Sequence, residues 1–118
     1  MKKKIVSVIL VAAMAVGCLA GCGSKEAKNE DAFYIGGIGP VTGDAAIYGT
    51  AVQNGAQIAV DEINEAGGIN GHQIEYNFQD DQGDPEKAAN AYNTLKDWGM
   101  QVLDGSVTSA CSIAVSDK

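Results

Sequence analysis

The chain has 118 residues, with fifteen Asp and Glu, eight Lys and no Arg, for a formal net charge of −7. An acidic chain with no basic patch beyond Lys2, Lys3 and Lys4 at its start repels the phosphate backbone, which argues against a nucleic-acid partner. Three cysteines and one histidine supply neither a disulfide framework nor a metal-ligand constellation.

Lys2, Lys3 and Lys4 precede Ile5 to Ala20, a run of 16 residues without a charge, and the run ends in Leu19-Ala20-Gly21-Cys22. A basic start, an apolar stretch and small residues before a cleavage point form an export signal. The run is shorter than the roughly 20 residues needed to span a bilayer. The closing tetrapeptide resembles the lipobox of bacterial lipoproteins, which implies cleavage after Gly21 and lipid attachment at the Cys22 thiol. A diacylglycerol has two acyl chains, enough for stable anchoring where a single chain is not. A plain secretory signal with a chance cysteine and an uncleaved anchor are the alternatives.

Residues 1–21 therefore read as a lipoprotein signal peptide. Gly23 to Asp31 is polar, charged and aperiodic, so residues 22–31 read as a flexible tether. Removing residues 1–21 leaves 97, a size for one small domain, with five lysines against fifteen carboxylates and a net charge of −10. Cys18 leaves with the signal and Cys22 is acylated. Cys111 is then alone, can form no intrachain disulfide, and reads as a small buried residue.

Ala32 to Gly39 combines aromatic and β-branched residues and stops at Gly-Pro, the pattern of a strand buried on both faces. Pro40 to Asp44 is a loop, with Asp44 as the expected N-cap. Ala45 to Ala66 reads as a long helix whose apolar face is Tyr48, Val52, Ala56, Ala59 and Ile63. Gly67-Gly68 ends it with left-handed backbone, and Asn70-Gly71 makes a tight turn.

His72 to Gln79 is a second strand with Ile74, Tyr76 and Phe78 on one side. Asp80 to Pro85 is a loop, with Asp84 at the N-cap and Pro85 at the first helical position. Ala88, Ala91, Tyr92, Leu95 and Trp98 place one apolar face on a helix ending near Gly99. Gln101 to Gly105 is a third strand, Ser106 to Ala110 a loop, and Cys111 onward the start of a third helix. The order β-α-β-α-β-α implies right-handed crossovers and an α/β fold with a doubly wound parallel sheet. The pattern stops inside the last helix, so residues 32–118 are expected to be the N-terminal part of a longer domain.

In such sheets ligands bind beyond the C-terminal strand ends, where the loops Gly39–Asp44, Asp80–Asp84 and Gly105–Ala110 lie. Gly36-Gly37-Ile38-Gly39 does not complete a dinucleotide fingerprint, because Thr42 stands where the third glycine is needed. Asp80, Asp81 and Asp84 lack the alternate spacing and later glutamate of a calcium loop and read as a solvated turn with an N-cap. Asp61 and Glu65 share a helix face without a nucleophile nearby. Nothing brings Cys111 to His72, so no enzyme activity is expected and no cofactor is implied. Gly105-Ser106-Val107-Thr108-Ser109 is different. Hydroxyls and free amides at a strand end, just before a helix, suit a carboxylate, although a simple serine N-cap accounts for the same residues.

Four stretches together resemble the type I substrate-binding proteins of ABC transporters, in the leucine/isoleucine/valine-binding group. They are Pro40-Val41-Thr42-Gly43 with Tyr48-Gly49; Ala59 to Gly71; Asp80 to Pro85 with Ala88-Ala89; and Gly105 to Ser109. The resemblance runs from about Phe33 to Lys118, and in the family this segment is the N-terminal part of the first of two lobes.

It implies capture of a small amino acid, typically branched-chain, between lobes that close on it, and delivery to an ABC permease. It implies a monomeric protein outside the cytoplasm, and the lipobox resemblance at Cys22 implies that this protein is lipid-anchored to the cell membrane. Position by position, Ser109 resembles the residue that holds the ligand carboxylate, helped by amides around Thr108 and Ala110. Tyr48 resembles the aromatic position beside the ligand side chain. Some members bridge the Asp-rich loop to the serine loop by a disulfide; here Gly83 and Thr108 stand at those positions. The remaining contacts, including an acidic partner for the ligand ammonium, are expected from the segment after Lys118. A sensor domain for amino acids or amides, reporting to a signalling partner, is the competing reading; an exported enzyme is a third.

Overall fold

The computed structural model describes residues 29–118, so the expected signal peptide, the expected lipid-attachment residue Cys22 and most of the expected tether lie outside the described residues. Six elements alternate along the chain: β1 (Phe33–Gly39), α1 (Ala46–Glu65), β2 (Ile74–Asp80), α2 (Pro85–Trp98), β3 (Val102–Ser106) and α3 (Ser109–Ser116). The three strands form a parallel sheet in the order β2-β1-β3, which puts the first strand in the middle. The expected α/β order and parallel sheet are therefore present. Asn29 to Asp31 fold against β1, with the Asn29 amide donating to the Tyr34 hydroxyl at 2.8 Å.

A middle strand flanked on both sides and covered on both faces must be apolar or small throughout. Alternation along β1 divides its side chains between the two faces. Ile38 faces α2 and α3, in a core with Ala88, Ala91, Leu95, Cys111 and Val115. Tyr92, Trp98, Met100 and Leu103 pack around it, and Tyr34 meets the Trp98 ring edge-on at 4.8 Å. The opposite face of β1 carries Ile35, Gly37 and Gly39 and lies beneath α1.

Glycine is required at Gly37 for space. A Cβ there would stand 2.3 Å from Phe78 and 2.5 Å from the Tyr76 hydroxyl. Tyr76 thus lies across the middle strand from β2 to β3, where its hydroxyl donates to Asp104 at 3.3 Å. Burial first, then the Asp104 charge and hydrogen bond, push this phenol well above its ordinary pKa.

Two devices fix how α1 enters β2. At the helix end, Gly67 takes a φ of 101°, and the amides of Gly67 and Gly68 donate back to Asn64 and Ile63, a Schellman arrangement that satisfies the last carbonyls. Asn70-Gly71 then closes a two-residue turn in which Ile69 and His72 exchange both backbone hydrogen bonds. Asn64 completes the join: its side-chain amide donates to the Ile74 carbonyl at 2.9 Å and accepts from the Ile74 amide at 2.7 Å.

The expected apolar face of α1 needs correction. Tyr48 is 66 % exposed and Val52 38 %, while Gly49 and Val60 are the buried residues of the helix. The covered stripe runs through Gly49, Gln53, Ala56, Val60 and Ile63, a rotation from the expected one. The cause is Pro40: Gly49 packs so closely on it that the helix seats there rather than on Tyr48. Asp44 is not the N-cap either. Ala45 occupies that position without a side-chain cap bond, and the entry is a backbone turn from Gly43 to Ala46. By contrast, Asp84 caps α2 as expected, accepting from the Glu86 and Lys87 amides at 2.9 Å each. The third helix begins at Ser109, two residues before the expected start.

Candidate functional site

Parallel strands bring Gly39, Asp80 and Ser106 to one edge of the sheet. The three connections that leave this edge are tied to one another. Asp80 Oδ1 accepts from the Val41 amide at 2.9 Å and from the Gln82 amide at 2.9 Å, and Oδ2 accepts from the Thr42 hydroxyl. Desolvation alone would raise the Asp80 carboxyl, but the Thr42 hydroxyl and the amides of Val41, Gln82 and Thr42 outweigh it and hold the group below its ordinary value. Gly39 approaches Val107 so closely that a Cβ would stand 2.6 Å from its methyl carbon.

Asp81 is fully buried, which overturns its reading as part of a solvated turn. Its Oδ1 accepts from the Gly83 amide at 2.8 Å, and its Oδ2 has no hydrogen-bond partner among the described residues. Strand alternation explains the difference from Asp80: consecutive residues point to opposite faces. Asp80 meets the β1–α1 connection, whereas Asp81 stands beside Cys111 on the α3 side.

Burial pushes the Cys111 thiol up. The Thr108 hydroxyl lowers it in part; the Asp81 side chain against the thiol, and then the Asp81 and Asp84 charges, raise it again. Cys111 is a buried free thiol, in keeping with a small core residue.

The residues expected to bind ligand stand at this edge. Ser109 and Ala110 are exposed and open α3. The first intrahelical bond, from the Ser112 amide to the Thr108 carbonyl at 2.9 Å, leaves the amides of Ser109, Ala110 and Cys111 without helical partners. Ser112 Oγ donates to the carbonyls of Ser106 at 2.7 Å and Thr108 at 3.0 Å, which braces the turn. The Thr108 hydroxyl is buried beside Cys111 and points away from solvent, so only its backbone is presented.

Tyr48 projects from the first turn of α1, and no hydrogen bond joins it to Thr108, Ser109 or Ala110. Among the described residues no cluster of three or more His, Cys, Asp or Glu is placed to hold a metal ion, and no helix is long and apolar enough to cross a membrane.

A separate groove of about 350 Å³ lies over the sheet face, between α1 and β3. It is lined by Ile35, Val60, Ile63, Tyr76, Val102 and Asp104, among others, and does not include the candidate ligand residues.

Residues 32–118 match the family model described as periplasmic binding protein. The chain belongs to the periplasmic binding protein family. It is 47% identical over 83 residues to the Leu/Ile/Val-binding protein BraC3 of Rhizobium johnstonii, covering 70% of this chain and 23% of that one. It is 36% identical over 108 residues to the leucine-, isoleucine-, valine-, threonine- and alanine-binding protein of Pseudomonas aeruginosa, covering 92% of this chain and 28% of that one.

Among solved structures it resembles the branched-chain amino acid transporter substrate-binding protein LivJ of Streptococcus pneumoniae in complex with isoleucine. The TM-score is 0.68 at 40% identity, over 71% of this chain and 24% of that one. The chain therefore spans about a quarter of the length of these periplasmic binding proteins.

What reading the sequence missed is the role of Asp80 and Asp81, which it took for part of a solvated turn: Asp80 ties the β1–α1 connection and Asp81 is buried. Their signal was their place: two consecutive carboxylates at a strand's C-terminal end must face opposite sides, and so reach two different loops.

Proposed function

We propose that this chain is part of an extracytoplasmic solute-binding lipoprotein that captures a small amino acid of the branched-chain type and hands it to an ABC permease. The observation that carries this reading is the start of α3. Ser109 offers an exposed hydroxyl there, and three consecutive amides lack helical partners at the sheet edge where open α/β folds bind ligands. A carboxylate placed on these donors would meet the positive end of the helix. Tyr48 would shape the apolar side of the same site, and the backbone of Thr108 and Ala110 would complete the carboxylate seat. The relatives named above support the ligand class. The role is capture rather than catalysis, and the protein acts as a monomer.

Calorimetry on the protein as its gene encodes it, against leucine, isoleucine, valine, threonine and alanine, tests the reading. Binding of branched-chain amino acids is expected; a protein that binds none of the panel would sink it. Lipid attachment at Cys22 is tested separately. Cys22→Ser should move the protein from the membrane fraction to the soluble one, and an unchanged distribution would remove the anchor.

A further inference from the structure

Asp80 makes its hydrogen bonds to two segments. The Gln82 amide belongs to its own loop, but Val41 and Thr42 belong to the β1–α1 connection, 39 and 38 residues away in sequence. The acceptor is an ionised carboxylate, and charge-assisted bonds of this kind are about twice as strong as neutral ones. What it holds leads directly to Tyr48. Pro40, just before Val41, is fully buried. The Pro40 carbonyl lies against the first turn of α1, where a Cβ on Gly49 would stand 1.9 Å from its oxygen. Between them, the Ala46 amide donates to the Gly43 carbonyl and the Tyr48 amide to the Ala45 carbonyl. From Asp80 to Tyr48 the path is therefore hydrogen-bonded or close-packed at each end, with a closed turn in the middle.

We propose that Asp80 is a positioning residue for ligand side-chain selectivity: by pinning Val41 and Thr42 it sets where the first turn of α1, and hence Tyr48, stands at the site. This rests on the amino-acid-binding reading above. Asp80 itself does not touch ligand. It acts on the wall of the side-chain pocket; the carboxylate seat at Ser109 hangs from β3 and α3, to which the Asp80 side chain makes no hydrogen bond.

The test compares affinities of wild type, Asp80→Asn, Thr42→Val and Ser109→Ala for leucine, valine and alanine, in the protein as its gene encodes it. Asp80→Asn should change the leucine-to-alanine affinity ratio by about fivefold or more, since pocket shape discriminates ligands by their methylenes. Thr42→Val, which removes one bond and keeps the shape, should move the ratio the same way by less, and it carries the test if Asp80→Asn does not fold. Ser109→Ala should weaken all three ligands and leave the ratio alone.

A carboxylate that merely stabilises the fold would lower every affinity alike, so an unchanged ratio in Asp80→Asn and Thr42→Val overturns the proposal. Amide hydrogen exchange at Val41 and Thr42 reads the pin without ligand. Faster exchange in Asp80→Asn is expected, and unchanged exchange overturns the pin. A wild type that binds none of the panel overturns the functional reading and the selectivity role with it. The exchange rates still report whether Asp80 pins the loop, so the two failures are told apart.

Discussion

Gly49 of α1 and Pro40 of the β1–α1 connection meet with no room for a side chain: a Cβ on Gly49 would lie 1.9 Å from the Pro40 carbonyl oxygen. The neighbour is backbone and cannot swing aside. Gly49→Ala improves helix propensity in isolation, yet here it must push α1 off the loop. Forced overpacking of this kind costs roughly 1–3 kcal/mol. Urea denaturation should show a loss in that range. A gain in stability would mean that the helix can slide, and that its seat on Pro40 is soft.

Asp80 carries a pH dependence with a definite sign. Its carboxyl is held below the ordinary value in the folded protein, so the unfolded chain takes up that proton first as acid is added. The stabilisation is complete above the unfolded carboxylate pKa and disappears as pH falls through the lower folded value. The stability gap between wild type and Asp80→Asn should be widest near neutral pH and narrow in acid. Unfolding curves across a pH series would show it; a constant gap would mean that the charge of Asp80 contributes nothing.

Ser109→Ala removes a hydroxyl that stands exposed at the start of α3. If that hydroxyl pairs with a ligand carboxylate, affinity should fall by about 1–3 kcal/mol, the cost of leaving a buried hydrogen-bonding group without its partner. The fold should be untouched, because Ser109 makes no side-chain hydrogen bond among the described residues. Unchanged affinity would take Ser109 out of the site.

Cys111 is fully buried, and burial pushes its thiol above the ordinary pKa. Thiolate is the reactive form, so a disulfide-exchange reagent should modify Cys111 slowly in the folded protein at neutral pH and rapidly in urea. Rapid modification of the folded protein would show that the first turn of α3 opens readily.

The elements were legible because their signals are local. Asp84 followed by Pro85, the Gly67-Gly68 ending and the Asn70-Gly71 turn each specify backbone geometry through the residues themselves, and the structure has all three. The facing of α1 was not legible. Apolar and small residues run round most of that helix, and Ile47 and Ile58 remain exposed at 75 % and 59 %. Several stripes therefore satisfy helical spacing equally, and the choice among them is made by Gly49 against Pro40, a contact between segments. The same holds at the strand ends. Ser109 and Tyr48 came from resemblance, while the bonds from Asp80 to Val41 and Thr42 depend on strand register, which spacing does not encode.

Among the described residues β3 is an outer strand of the sheet, and Val102 on it is 59 % exposed beside the apolar groove. An unpaired strand edge beside an apolar trough joins readily to its own kind. A sample of these residues alone would thus be held apart mainly by its negative charge, which salt screens beyond about 8 Å at physiological ionic strength. Such material would keep best in dilute buffer and coarsen as salt is added. A lysine in place of Val102 would be the first change to make before attempting spectroscopy on it.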